Sequence, residues 1–548
     1  MKYINADKTN AWVQLASLVP PGGNFDSLRR VHTPSACGEV VDFAGTLTAE
    51  RVGRCEVPMA GGLSYNWAAK AADEGTIRAL QALADEQELI SKYRALLDGE
   101  IVNTGEKRRV LHHLLRGQLG KPVVEGAKDL GEFYKAELER FSVFAANVRS
   151  GAVRGASGKP FKNAVQIGIG GSDLGPRAMY LALDNWGQRN GKKKLSAFFI
   201  SNVDPDDASG VLSPLHLDET LFVLVSKSGT TQETLANELF VKDKLVRAGL
   251  DPARHLVAVT SETSPLAHNP SYLDSFYIDD FIGGRYSSTS AVGGVILSLA
   301  FGPDVFKEFL SGAHEADALA LEGNIWKNAS LLDALLGVWE RNFLGYPVTA
   351  VLPYSQALSR FPAHLQQLDM ESNGKRVNRY GEELSYATGP VVFGESGTNG
   401  QHSFYQFLHQ GTDIVPLQFV GFAESQRQDD VEVDGSLSQI KLNANLAAQI
   451  VAFAKGKDDP DRNKFFPGRR PSSLIRGKQL APAALGSLLA HFENKVMFQG
   501  FVWNLNSFDQ EGVQLGKILT KKVLSGNSGA GTGDEVLDAY SLLLGVIP

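Results

Sequence analysis

Thr220-Leu-Phe-Val-Leu-Val-Ser-Lys-Ser-Gly-Thr-Thr-Gln-Glu-Thr234 reads as a strand that turns sharply into a helix. Thr220 to Val225 carries no alternation of apolar and polar residues, so the strand is expected to be covered on both faces, as in a parallel sheet between helices. The turn that follows crowds Ser226, Lys227, Ser228, Gly229, Thr230 and Thr231 in front of the helix. One helix N-cap needs one hydroxyl side chain. Four of them with a lysine point instead to an anion, because backbone N–H groups and the helix dipole favour a phosphate there. No GxxxxGK[ST] pattern occurs in the chain, so the ligand is expected to be a monophosphate ester rather than a nucleotide.

Similar segments lie on either side. Asn163–Gly171 (NAVQIGIGG), Leu195–Asp204 (LSAFFISNVD) and His255–Glu262 (HLVAVTSE) each read as a short buried strand entering a polar or glycine-bearing loop. A second alternation begins after Pro303, with strands in YPVTAVLPYS, GPVVFGESGTNG and TDIVPLQFVGFA separated by helices. The pattern predicts two α/β sandwiches in tandem, each a doubly wound parallel sheet. The first 125 residues read as mostly helical, with a break near Gly61-Gly62, and DEQELISKYRALLDGE and KRRVLHHLLRGQ are expected as surface helices. KGKDDPDRNKFFPGRRPSS reads as a long surface loop, and the helix from Pro482 carries Leu485, Leu489, Phe492 and Val496 at helical spacing.

At 548 residues the chain exceeds what one core can organise, and 43% hydrophobic with 21% charged residues is ordinary for a globular protein. A net charge of -7 argues against general affinity for nucleic acid or anionic membrane. Cys37 and Cys55 form no CxxC pair and have no zinc spacing, so they are expected to be reduced thiols. The N-terminal MKYINADKTNAWVQ lacks the apolar core of a signal peptide. The longest apolar run, Ala291 to Gly302, stops at Pro303, well short of the roughly 20 residues that span a bilayer. A soluble cytoplasmic protein is expected.

Ligands of open α/β sheets bind at the carboxyl ends of strands, which draws attention to the other loops. Gly168-Ile-Gly-Gly-Ser-Asp-Leu-Gly175 invites a dinucleotide reading, but the third glycine of GxGxxG would fall at Asp173. A nest of backbone N–H groups with Ser172 adding a hydroxyl is the better reading. Gln366-Gln-Leu-Asp-Met-Glu-Ser-Asn-Gly374 ends a helix bearing Leu358, Phe361, Leu365 and Leu368, and the Asn373-Gly374 turn puts Glu371 where a side chain can enter a cleft. Gly397-Thr-Asn-Gly-Gln-His402 places His402 near a helix start. Gly512-Val-Gln-Leu-Gly-Lys517 opens a late helix whose Leu515, Ile518 and Leu519 form one face and Lys517 the other. Taken singly, a solvated glutamate, a loop histidine, a wet lysine and the arginine of Gly283-Gly-Arg285 are all unremarkable.

Together these segments closely resemble the glucose-6-phosphate isomerase (phosphoglucose isomerase) family. GIGGSDLGP, VSKSGTTQET, GGRYSSTSAVG, QQLDMESNGK, GTNGQHSFYQFLHQGT and FDQEGVQLGK occur in that family's order, from about residue 100 to 525. The resemblance implies two SIS-type domains, at 126–300 with the sugar-phosphate loop and at 301–510 with the catalytic carboxylate. Residues 1–125 would pack on the larger domain, and 511–548 would form a C-terminal arm carrying the lysine. It implies interconversion of glucose 6-phosphate and fructose 6-phosphate through a cis-enediol, in glycolysis and gluconeogenesis, with no cofactor and no metal.

By position, the resemblance makes Glu371 the base that shuttles a proton between C2 and C1. His402 and Lys517 match the pair that opens the sugar ring, and Arg285 matches the residue that steadies the enediolate. Ser226, Lys227, Ser228, Gly229, Thr230 and Thr231 match the phosphate loop, Gly171 and Ser172 lie beside the sugar, and Gln367 and Gln510 match further substrate contacts. A homodimer is implied, with His402 serving the neighbouring subunit's site. Two departures stand out. Gly229 occupies a position where many members have an aromatic residue, which is expected to loosen the loop, and Glu511 stands where many have tryptophan. An isomerase that also accepts mannose 6-phosphate is the alternative within enzymes. A non-catalytic sugar-phosphate sensor would need the phosphate loop but would have no use for the glutamate, histidine, lysine and arginine together.

Overall fold

The computed structural model describes residues 3–19, 43–526 and 531–546. Cys37 lies outside them. Residues Met1–Ser507 form one compact unit and Phe508–Pro548 a second.

The first unit is built on two sheets. Apart from two short hairpins, at 124–129 and 432–437, the strands of those sheets in chain order are β1 (Glu56–Pro58), β2 (Leu63–Asn66), β3 (Asn163–Ile167), β4 (Ser196–Ile200), β5 (Thr220–Val225), β6 (Leu256–Thr260), β7 (Ser275–Tyr277), β8 (Val348–Tyr354), β9 (Val391–Phe393), β10 (Leu417–Phe422) and β11 (Ser472–Gly477). The smaller sheet has the order β4-β3-β5-β6-β7 and is parallel throughout. Asn163 pairs with Ser196 on one side and Thr220 on the other, so the chain winds outward in both directions from β3. The crevice at such a reversal opens at the carboxyl ends of β3 and β5, where the Gly168 and Ser226 loops leave the sheet. As the unbroken apolar run predicts, all of β5 is buried. Phe222 and Leu224 face Val241 and Leu245 of the helix Gln232–Arg247 in one core with Val165, Ile167 and Leu256. Each such side chain is worth about 1.5–3 kcal/mol of burial.

The larger sheet runs β1-β2-β11-β10-β8-β9. Strands β8 to β11 are parallel, and β2 joins β11 antiparallel with Ile475 opposite Tyr65. The Gly61-Gly62 break is therefore the turn of a hairpin that extends the sheet, not merely a gap between helices. Gly61 has φ +63°, and a Cβ there would meet the Ala483 carbonyl at 2.7 Å.

Two expected surface helices are corrected. Lys107–Gln118 is a run of turns rather than a helix, and His112, His113 and Arg116 are buried. Arg116 donates to both oxygens of Asp317 at 3.1 and 3.0 Å and pairs with Glu493. Those two carboxylates, not a solvated face, explain the arginine at 116. DEQELISKYRALLDGE spans the end of one helix, Glu74–Glu86, and the next, Leu89–Leu97, divided where Glu88 takes φ +52°. Leu89, Lys92, Tyr93, Leu96 and Leu97 are buried. The helix Pro482–Val502 is buried on every side, so its apolar spacing marked only part of what it covers. Cys55 is a free, buried thiol. No described helix is long and apolar enough to cross a membrane.

Candidate active site

At the end of β3 the chain makes a tight turn through Gly170 (φ +59°) and Gly171. A Cβ on Gly171 would lie 2.3 Å from the Gly284 carbonyl carbon, so only glycine lets the Gly283–Arg285 segment approach so closely. Ser287 Oγ closes the Gly284–Ser287 turn by donating to Gly284 O at 2.7 Å, and it lies 3.4 Å from Gly171 O across the contact. Ser172 is half-buried on this turn. Asp173 turns inward to Arg177, whose Nη2 lies 2.7 Å away, and so is occupied structurally at the slot where a third glycine was sought.

At the end of β5, Ser226 is buried, and its Oγ donates to Thr231 Oγ1 at 3.3 Å. The Thr230 N–H donates to Ser228 Oγ at 3.2 Å. Ser228 and Thr230 are exposed. Lys227 Nζ donates to Ile282 O at 3.2 Å, tying this loop to the segment that carries Arg285, and Asp280 lies 3.9 Å from it. Burial of the ammonium lowers the Lys227 pKa, and Asp280 opposes that shift. Gly229 does not loosen the loop as expected. It closes a turn at φ +65°, its N–H donates to Ser226 O at 3.2 Å, and a Cβ there would meet Ser264 Oγ at 2.2 Å. Glycine fits because the backbone sits where a side chain has no room.

The carboxylate comes from the other sheet. After β8, the helix Phe361–Gln366, with Pro362 in its first turn, passes into a π-helical turn, Gln367–Glu371. Such turns are rare and are found often at functional sites, since the extra residue re-aims the side chains around it. The Asn373-Gly374 turn is pinned by Asn373 Nδ2 donating to Val496 O at 2.9 Å and by Gly374 N–H donating to Met370 O at 3.0 Å. Gln367 reaches the first loop: a Cβ at Gly170 would stand 3.4 Å from its Nε2.

Glu371 Oε1 lies 3.4 Å from Arg285 Nη1; the glutamate side chain is 22% exposed and the arginine side chain 1%. Arg285 Nε donates to Ser372 Oγ at 2.7 Å and Nη2 to Ser507 O at 2.8 Å. Tyr286 OH lies 3.3 Å from Ser372 Oγ, and its ring stacks on His112 with centroids 4.6 Å apart. Burial raises the Tyr286 pKa to about 12. Ser372, Tyr286 and Ser507 were not singled out from sequence. Ser372 and Tyr286 each directly follow a selected residue, which is the only signal they gave.

The structure thus gathers Gly171, Ser172, Lys227, Arg285, Gln367 and Glu371 through contacts between their loops. His402 stands apart. It is exposed on the short turn Gly400–His402 beyond β9, and among the described residues no contact joins it to Glu371. Gln510 and Lys517 belong to the second unit. There Gln510 precedes the turn Glu511–Val513, and Lys517 lies on the helix Gln514–Gly526. Leu515 and Ile518 on that helix are exposed at 67% and 63%.

A family model described as phosphoglucose isomerase matches residues 66–534. The glucose-6-phosphate isomerase of Treponema denticola is 62% identical over 506 residues, covering 92% of this chain and 95% of the relative. That of Treponema pallidum (strain Nichols) is 58% identical over 545 residues, covering 99% and 98%. The crystal structure of a glucose-6-phosphate isomerase from Chlamydia trachomatis superposes with a TM-score of 0.87 at 43% identity, over 98% of this chain and 100% of that one.

Proposed function

The chain belongs to the phosphoglucose isomerase family, and on that premise we propose that it interconverts D-glucose 6-phosphate and D-fructose 6-phosphate by moving one proton between C2 and C1. The substrate phosphate sits on Ser226, Lys227, Ser228, Gly229, Thr230 and Thr231, with Gly171, Ser172, Gln367 and Gln510 beside the sugar. Binding energy from this remote group holds the reacting carbons against the base.

Glu371 is that base. Through a cis-enediol one carboxylate on one face of the sugar serves both carbons, and proton transfer of this kind contributes roughly 10²–10⁴ in rate. Charge developing on the O1/O2 side is met by Arg285, a fixed cation that needs no reorganisation as the proton moves. The observation that carries this reading is the buried guanidinium 3.4 Å from a partly exposed carboxylate.

The sugar is cyclic in solution, so a separate pair, His402 and Lys517, opens the ring. The exposed position of His402 favours its delivery to the site of a second copy, and we assign the enzyme as a cytoplasmic homodimer. The experiment is a coupled assay with fructose 6-phosphate on the wild type and on Glu371→Gln. The variant should still bind substrate and lose nearly all turnover; near-normal turnover removes Glu371 from its role.

A further inference from the structure

We propose that Ser372 is a positioning residue that sets the spacing between base and cation, with Tyr286 acting through it. The inference rests on Glu371 and Arg285 having the roles given above. Arg285 is 2% exposed, and its guanidinium plane is anchored where Nε donates to Ser372 Oγ at 2.7 Å and Nη2 donates to Ser507 O at 2.8 Å. On the same guanidinium, Nη1 stands 3.4 Å from Glu371 Oε1.

Ser372 is also the next residue after Glu371. The hydroxyl that orients the arginine is therefore joined to the base by one peptide unit, which is planar and stiff. Anything that shifts Ser372 moves the base and the cation in register. Ser372 is fully buried, and the Nε–H can only donate, so the serine oxygen must accept it. Tyr286 OH, 3.3 Å from the same oxygen, leaves the hydroxyl few other orientations. The ring that carries this OH is held by its stack on His112. Ser507 Oγ in turn donates to Asn373 Oδ1 at 2.7 Å, so both anchors of Arg285 are joined to the Ser372-Asn373 backbone.

The mechanism demands such a strut. A carboxylate that serves two adjacent carbons tolerates little drift, and a misplacement of about 1 Å can cost about 10² in rate. Substrate affinity, by contrast, is set largely at the distant phosphate loop.

The test uses the full-length enzyme in the fructose 6-phosphate assay with four variants: Ser372→Ala, Tyr286→Phe, the double variant and Arg285→Ala. Ser372→Ala should lower kcat by about 10²-fold with KM changed little. Tyr286→Phe, which keeps the ring on His112, should lower kcat less, and the double variant should be no worse than Ser372→Ala, since both act through one oxygen. Arg285→Ala with near-normal turnover would overturn the role of Arg285 itself. A collapsed Arg285→Ala beside a wild-type kcat in Ser372→Ala overturns only the present inference. Losses that simply multiply in the double variant, or a rise in KM with kcat unchanged, overturn it as well. Should Ser372→Ala fail to fold, unchanged kcat in Tyr286→Phe does the same.

Discussion

Asp369 and Glu371, two residues apart on one π-helical turn, direct their carboxyls to different surroundings: Glu371 to Arg285 at 3.4 Å, Asp369 into an internal cavity of about 30 Å³ behind the turn. Lys70, Glu340, Gln418 and Lys495 also line that cavity. One short segment thus presents a carboxylate to the cleft and a second to the interior.

The interior carboxyl gives the fold a pH dependence. Burial raises the Asp369 pKa from 3.8 to about 7, with Lys495 opposing and Asp333 assisting the shift. In the unfolded chain it ionises near 3.8, so between about pH 4 and pH 7 the unfolded state sheds a proton that the folded state retains. Its contribution to stability is full below pH 4, falls as pH rises through that window, and is lost above pH 7. Asp369→Asn should remove this slope. The difference in unfolding free energy between wild type and variant, measured by urea titration at several pH values, should change by a few kcal/mol across the window and be flat above it. A difference independent of pH would show that the carboxyl is ionised throughout.

Arg285→Lys keeps the charge and loses the fork. An ammonium cannot reach Ser372 Oγ, Ser507 O and Glu371 from one plane, and the substitution leaves buried acceptors behind. We expect kcat to fall by about 10²–10³-fold with a smaller change in KM, read by the coupled assay. Retention of most of kcat would mean that charge alone suffices.

Gly229→Ala places a methyl where φ is +65° and Ser264 Oγ is 2.2 Å from the new carbon. The left-handed backbone costs about 1–2 kcal/mol for a residue with Cβ, and the crowding adds to it. With the loop in its proposed role of holding the phosphate, KM for fructose 6-phosphate should rise by more than kcat falls. An unchanged KM would indicate that the turn can relax without moving its hydroxyls.

Chelation should leave turnover intact, because the proposed chemistry meets the developing negative charge with a fixed guanidinium rather than a Lewis acid. Dialysis against EDTA followed by assay checks this. Loss of activity that added zinc restores would replace the proposed chemistry.

What the sequence disclosed, and what it hid, follows from the range of the interactions. The Ser226–Thr231 loop was legible because strand, turn and helix start are all encoded within a few residues. Glu371 was legible in position, since Asn373-Gly374 marks a turn, but the π-helical step beneath it was not, because one inserted residue leaves the apolar spacing nearly unchanged. Ser372 and Tyr286 were invisible in their function. Their value lies in meeting each other and Arg285 across 86 or 87 positions, and no local pattern records such a meeting. Lys107–Gln118 was misread for the converse reason: His112, His113 and Arg116, spaced as on a wet helix face, are in fact buried, with Arg116 held by Asp317 and Glu493. The β1–β2 hairpin escaped notice because its partner strand lies at the far end of the chain.

That last pairing bears on how the protein is made. Leu474 opposite Asn66 joins segments separated by most of the polypeptide, and Arg476 Nη2 contacts Glu56 Oε1 at 2.6 Å across the same seam. During synthesis the hairpin leaves the ribosome long before β11 exists, and it must wait with an open edge while the smaller sheet is completed. Until Ser472–Gly477 has been translated, the edges of β2 and β10 have no strand to lie between them, and unpaired edges of this kind are where nascent chains associate wrongly. Truncation just before β11 should therefore leave a chain prone to aggregation rather than a smaller folded enzyme.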